Sequence, residues 1–323
     1  MKTSPLVPAL AALATFALPA LQAQTLFSAA LDNAADAANW TVSASRADTQ
    51  AIFGYDYSTD GIPSAPNSPG GTTLGVKLTA NNLDAIEGTA GLSISPNGQF
   101  FTGDYELRFD LWINANGPFP AGGAGSTEFA SVAIGLAAPA LVWSGAAPAS
   151  AAWFAVSGEG GAAQDYRAHA GGTTQLLPAS GVFAAGTETN ARANGNPFST
   201  ALFPGQQPPA AQQAAAPAVQ TGTTLPGTVG FAWRDVAVVK EGTKIEWSID
   251  GTTIATLDAT AFPGLGTEGN IAVGYFDPFA SISGNPEFSF GIVDNVRVTV
   301  VPEPGVAALA LLGAGLLALR RRR

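Results

Sequence analysis

Residues 105–113, YELRFDLWI, alternate strictly, with Tyr105, Leu107, Phe109, Leu111 and Ile113 on one side and Glu106, Arg108 and Asp110 on the other. A period of two with one apolar face predicts a half-buried antiparallel strand. Trp112 interrupts the polar side and is expected to cover a neighbouring loop. The same alternation recurs at Val132, Ile134 and Leu136, and again at Ile245, Trp247 and Ile249. The last of these passes through Asp250-Gly251 into a second run at 252–257, the pattern of a hairpin. A long closing strand is expected over 288–300, and shorter ones over 40–44, 51–55, 74–78, 153–156, 230–239 and 271–275. Residues 32–39 suit one short helical turn. No stretch of the body sustains a 3.6-residue period. Many short strands parted by Gly, Pro and Asn turns therefore predict an all-β, antiparallel sandwich rather than a parallel α/β sheet.

The two ends break this pattern. Residues 1–23 carry one early charge, Lys2, then an apolar run broken at Pro19, and a small residue, Ala23, where a protease could cut. That order is expected of a secretory signal helix. At the other end Pro302-Glu303-Pro304 precedes an uncharged apolar stretch, 305–319, and then Arg320, Arg321, Arg322 and Arg323. A helix over 305–319 reaches about 22 Å, short for a hydrocarbon core of about 30 Å. The arginines favour the cytoplasmic side, which makes 301–323 a short transmembrane stop-transfer tail. Those three parts, in that order, resemble the PEP-CTERM sorting tail of Gram-negative bacteria that make exopolysaccharide. The resemblance implies recognition by an exosortase, transient passage through the inner membrane, and delivery to the cell surface or the extracellular matrix. A plain single-pass anchor is the other reading.

Charge narrows the partners. Five of the 14 basic residues are Lys2 and the four terminal arginines, so residues 24–319 hold 9 basic against 24 acidic residues, a balance of −15. That excludes nucleic acid, whose phosphates need neutralising, and disfavours an anionic membrane surface. There is no cysteine. Within the body, 24–300, the stretch 186–227 is rich in Pro, Gln and Ala and is expected to be a mobile, low-complexity insertion between strands. The run 245–257 and the closing FSFGIVDNVRV at 288–298 resemble the late hairpin and final strand of concanavalin A-like jelly rolls. This selects a jelly roll among sandwiches.

Candidate chemistry is sparse. His169, the only histidine, has no serine-nucleophile elbow beside it and is expected at a surface or strand end. A glycosidase needs only two carboxylates, but Glu241, Glu246 and Asp250 have the wrong spacing for the Glu-x-Asp-x-Glu strand of some concanavalin-like glycosidases. Calcium, the one cofactor considered, prefers clustered oxygen ligands. Asp56, Asp60 and Asn67, or Asp277 at a strand end, are the candidates for it. Alternation places Asp294 on the core face, where a carboxylate must be paired or hydrogen-bonded, and a structural hydrogen-bonding role is expected. Tyr55, Tyr57, Trp112, Trp143 and Tyr275 are the aromatics available to stack on a sugar. The expectation is a non-enzymatic exported protein with a glycan-binding or matrix-structural role. The alternative is a glycoside-acting enzyme on the same fold.

Overall fold

The structure, a computed structural model, describes residues 23–82 and 88–302. The strands among them are β1 (Thr25–Ala29), β2 (Trp40–Ala44), β3 (Thr49–Asp56), β4 (Leu74–Ala80), β5 (Ala90–Pro96), β6 (Tyr105–Asn114), β7 (Phe129–Leu136), β8 (Ala152–Ser157), β9 (Tyr166–Ala170), β10 (Arg234–Glu241), β11 (Lys244–Ile249), β12 (Thr252–Asp258), β13 (Asn270–Asp277) and β14 (Phe290–Val300). They form two antiparallel sheets. One runs β12-β11-β10-β6-β14-β4-β3, with β1 also on β14. The other runs β2-β5-β13-β7-β8-β9. This is the sandwich that the alternation predicts. Asp250-Gly251 makes the β11–β12 turn with positive φ at both residues, as an Asp-Gly hairpin requires. The expected strand at 230–239 starts only at Arg234, because Phe231 takes a φ of 56° that ends extended geometry.

The core lies where the alternating faces meet. Leu107, Phe109, Val238 and Trp247 of the eight-stranded sheet share one buried cluster with Val132, Phe154, Val273 and Tyr275 of the six-stranded sheet. Both outer faces are covered as well. Segment 137–151 lays Val142 and Trp143 over Phe129, Trp153 and Phe276. The Trp143 ring lies so close to β5 that a Cβ at Gly91 would come within 2.6 Å of it. On the other side, Tyr57, Ile62 and Phe119 cover Trp112, Phe290 and Ile292, so Trp112 does lie beneath a loop.

Three expectations change here. His169 is fully buried, with its ring stacked on Trp153 at 3.5 Å. Burial lowers its pKa to about 3, so it is neutral. The stretch 186–227 packs instead of hanging free. It carries α1 (Pro197–Leu202) and α2 (Ala210–Ala215). It also buries Phe203, Gln212 and Gln220. Gln212 donates to Asn114 Oδ1 at 2.9 Å and Gln220 donates to the Ala115 carbonyl at 3.0 Å, so amide side chains fix what apolar ones do not. The apolar face expected along the closing strand is split. Asn295 has a φ of 54°, and the β14–β6 register shifts between Asp294 and Arg297. N-terminal to this bulge Phe290 and Ile292 face outward, whereas C-terminal to it Val296 and Val298 enter the core.

Candidate functional site

The Asp294 bulge is a structural joint. Ser68 donates to Asp294 at 2.8 Å and Tyr57 donates to it at 3.1 Å. Its neighbour across the ladder, Asp110, accepts from Asn67 and from Asn295 at 2.7 and 2.8 Å. Burial lifts Asp294 to about 7. The 57–73 loop is thus pinned to the sheet. The other residues proposed for calcium disperse. Asp56 caps a 3-10 turn at Ser58, and Asp60 meets Lys77 and Tyr55. Among the described residues no three His, Cys, Asp or Glu side chains converge tightly enough to hold a metal ion. Glu246 and Asp250 are engaged by Thr253 and Arg234. Of the proposed sugar-stacking rings, Tyr57, Trp112, Trp143 and Tyr275 are buried. Ala23 is exposed, and the carbonyl of Gln24 accepts from Val300 N at 2.8 Å, so the two ends of the body leave side by side. Residues 1–22, Glu303, Pro304 and the four arginines lie outside the described residues. No described helix is long and apolar enough to cross a membrane.

A different carboxyl cluster sits at one rim of the sandwich. Strand pairing builds it. Phe129 lies opposite Ser157 of β8 and Phe276 of β13, and Asp277 lies opposite Ala90 of β5. The residues just beyond those pairs, Glu128 and Glu159, therefore meet Asp277 at the same edge. Glu128 shares the inward face of Ala130 and Val132, and Asp277 that of Val273 and Tyr275, since alternate residues share a face. The apolar layers of the core thus end in a layer of acids. Glu128, Glu159 and Asp277 are each no more than 2% exposed. Among the described residues none has a lysine or arginine partner within ion-pair distance.

Their hydrogen bonding is uneven. Asp277 is satisfied, accepting from Asn81 at 2.8 Å and from Phe279 N at 2.7 Å. Glu159 accepts from Thr127 and from Ser126 through one oxygen, while its second oxygen has no partner. Among the described residues, both oxygens of Glu128 and the Tyr275 hydroxyl lack any partner of hydrogen-bond geometry, though the hydroxyl is close enough to favour the ionised form of Glu128. Burial, reinforced by the charges of Asp277 and Glu159, pushes Glu128 well above the usual carboxylate range. Burial lifts Glu159 to about 7 and Asp277 to about 6. Beside them opens a polar cleft of about 300 Å³, lined by Gly123, Gly125, Ser126, Thr127, Gly161, Asp277 and Phe279 among others. A Cβ on Gly161 would come within 2.5 Å of Glu159 Oε1, so only glycine lets the backbone approach the acid this closely.

Chemically, the rim holds three carboxyls that burial raises by different amounts: Glu128 well above the usual carboxylate range, Glu159 to about 7 and Asp277 to about 6. Such a division assigns acid and base roles within one site. Asp277 was a strand-end candidate in the sequence; Glu128 and Glu159 were not recognised. The available signal was the TEF step at 127–129, an acid bordered by a threonine at the start of an apolar strand.

No family model matches the chain, and no curated protein matches it. Solved structures resemble its fold. A protein of unknown function with a galectin-like fold from Bacillus subtilis is 9% identical, with a TM-score of 0.40 over 85% of this chain and 96% of that one. An endo-acting O-glycanase of the human gut microbiota is 13% identical, with a TM-score of 0.43 over 86% of this chain and 100% of that one. A β-1,3-glucanase from Mycobacterium marinum is 12% identical, with a TM-score of 0.38 over 86% and 99%. These are likenesses of fold. The expectation of a non-enzymatic protein is corrected: glycan-cleaving enzymes stand among the similar chains.

Proposed function

We propose that this chain is an exported protein that cleaves or transfers glycosidic bonds at the Glu128–Glu159–Asp277 rim. The observation that carries this reading is the pair Glu128 and Glu159, buried and with free oxygens beside a polar cleft. Protonated Glu128 donates its proton to the departing glycosidic oxygen as the bond to the anomeric carbon breaks. Glu159, ionised, assists the incoming hydroxyl of water or of a second sugar by taking its proton. Asp277 acts through charge, keeping the Glu128 proton in place. Hydroxyls of Ser126 and Thr127 hold Glu159.

The test is release of reducing ends from a panel of neutral and acidic polysaccharides by the purified full chain. Glu159→Gln lowers the turnover by at least about 100-fold, within the usual worth of a general acid or base. The acidic limb of the wild-type pH profile is expected near 7, where Glu159 loses its proton and becomes able to act as the base. Unchanged turnover in both Glu159→Gln and Glu128→Gln, or no cleavage across the panel, sinks the reading.

Export rests on the two ends of the chain. Mass spectrometry of the mature protein from its host is expected to find Gln24 as the first residue and a chain shortened near Pro302-Glu303-Pro304. A chain still carrying Met1 and Arg323 would refute it. A cell-surface or matrix location follows from the same ends, with an exosortase as the processing partner.

A further inference from the structure

At the opposite end of β5 from the acidic rim, a second groove has the chemistry of a sugar-binding surface. Ala90 starts β5 beside Asp277, whereas Pro96 ends it beside Trp40. Seven residues at about 3.3 Å each separate the two ends by roughly 20 Å. Two clefts, of about 530 and 300 Å³, meet at Gln99, which lines both. The first is walled by Phe27 and Trp40 and carries Asp32, Asp36 and Asn39.

Phe100, in the second cleft, is 60% exposed. It is held there rigidly. Phe101 exchanges two backbone bonds with Gly269, at 2.8 and 2.9 Å, and buries its own ring against Phe27 and Tyr105. Its neighbour is thereby turned to solvent. The Asn97-Gly98 turn, with φ 67° at Gly98, leads into it, and Asn97 is tied down by Thr41 and the Ala38 carbonyl. The side chains of Asn39 and Gln99, by contrast, make no hydrogen bond among the described residues. Fixed aromatic faces beside uncommitted amides are the groups that recognise a sugar: the ring covers the C–H face, and planar polar groups pair with adjacent hydroxyls.

We propose that this groove binds an uncharged polysaccharide strand, as a site separate from the acidic rim. Asp32 and Asp36, in a body of −15, disfavour uronic acid or sulfated chains, which selects a neutral ligand. The ligand class rests on the glycan-handling reading above, and the experiment separates the two sites. The full chain is applied to an array of neutral glucans, mannans and galactans beside alginate and polygalacturonate. Four proteins are compared: wild type, Glu159→Gln, Phe100→Ala and Gln99→Ala. The last two alter a solvent-facing ring and an unbonded amide, and thermal melts check that both stay folded.

Binding to at least one neutral polymer is expected, unchanged by Glu159→Gln and weakened tenfold or more by Phe100→Ala and by Gln99→Ala. Binding that survives both groove variants overturns the proposal. So does preference for the uronic acid polymers, or binding to nothing on the array. Loss of turnover in Glu159→Gln with binding unaffected by the groove variants would leave the rim standing and remove the groove.

Discussion

Lowering the pH from about 8 to about 5 raises the thermal midpoint by about 10 °C, read by circular dichroism at constant ionic strength. The cause is five acids whose folded pKa lies above its unfolded value, buried Asp165 among them. Glu159 moves from 4.5 to about 7 and Asp277 from 3.8 to about 6. Asp294 moves from 3.8 to about 7, and Glu128 rises further from 4.5. Burial comes first among the causes in each. A raised carboxyl contributes fully below its unfolded pKa, and that contribution is lost as pH climbs through the folded one. Glu159 alone accounts for about 3 kcal/mol across its window.

His169 acts in the opposite sense. Its folded pKa is depressed to about 3 from 6.5, so its contribution is present above 6.5 and drains away as pH falls towards 3. The net of these terms is on the order of 5 kcal/mol in favour of pH 5, worth about 2 °C each in a domain this large. Below about pH 4 the unfolded carboxyls are protonated too and add nothing more. His169 then dominates, joined by Asp56, Asp104 and Asp258, which hydrogen bonds hold low. A maximum near pH 5 follows. A midpoint that is flat or rises from pH 5 to pH 8 would show that the rim carboxyls ionise as freely as in solution.

Glu128→Gln raises the midpoint by about 4 °C at pH 8, equivalent to about 2 kcal/mol, and at the same time lowers glycan turnover by at least about 100-fold. Glu128 is the least compensated group at the rim. Among the described residues neither oxygen has a partner of hydrogen-bond geometry, the Tyr275 hydroxyl alone lying close enough to help, and Asp277 and Glu159 both oppose its charge. An amide of the same shape removes that charge and can donate to the acceptors around it, so the desolvation cost falls. The proton that would be delivered to a leaving group is gone as well. Stability rising while activity falls is the mark of a group kept for chemistry. A structural carboxyl would give the reverse, and a loss of stability in Glu128→Gln would refute its assigned role. The same variant is expected to remove part of the pH dependence described above, since one of the five acids no longer titrates.

How much of this was legible can be judged element by element. β2 has the expected limits, and β6 and the β11–β12 hairpin agree to within a residue, because each carries its period-two signal locally. β1, β5 and β9 were missed. In β5, Ser93 and Ser95 alternate with Leu92 and Ile94, yet all seven residues are buried. Ser93 donates to the Val142 carbonyl and accepts from Val142 N, so what resembles a solvent-facing side lies under the 137–151 segment. In β9, Arg167 sits 3.7 Å over the Phe129 ring and His169 on Trp153. Charged and polar residues are thus buried by stacking that no local pattern announces.

The chain by itself determined the class of the body, a two-layer antiparallel sandwich, because alternation and turn chemistry act between neighbours in sequence. It also set the expectation of export, since the charged, apolar and small-residue order of the two ends is local. Only the tertiary structure decided where the chemistry lies. Asp277 ends β13, while Glu128 and Glu159 lie just outside β7 and β8, and they reach one rim solely because Phe129 registers with Ser157 and with Phe276. Register and sheet order are set by which faces bury one another across the whole molecule, and a slip of one residue would turn each of these acids to the other side.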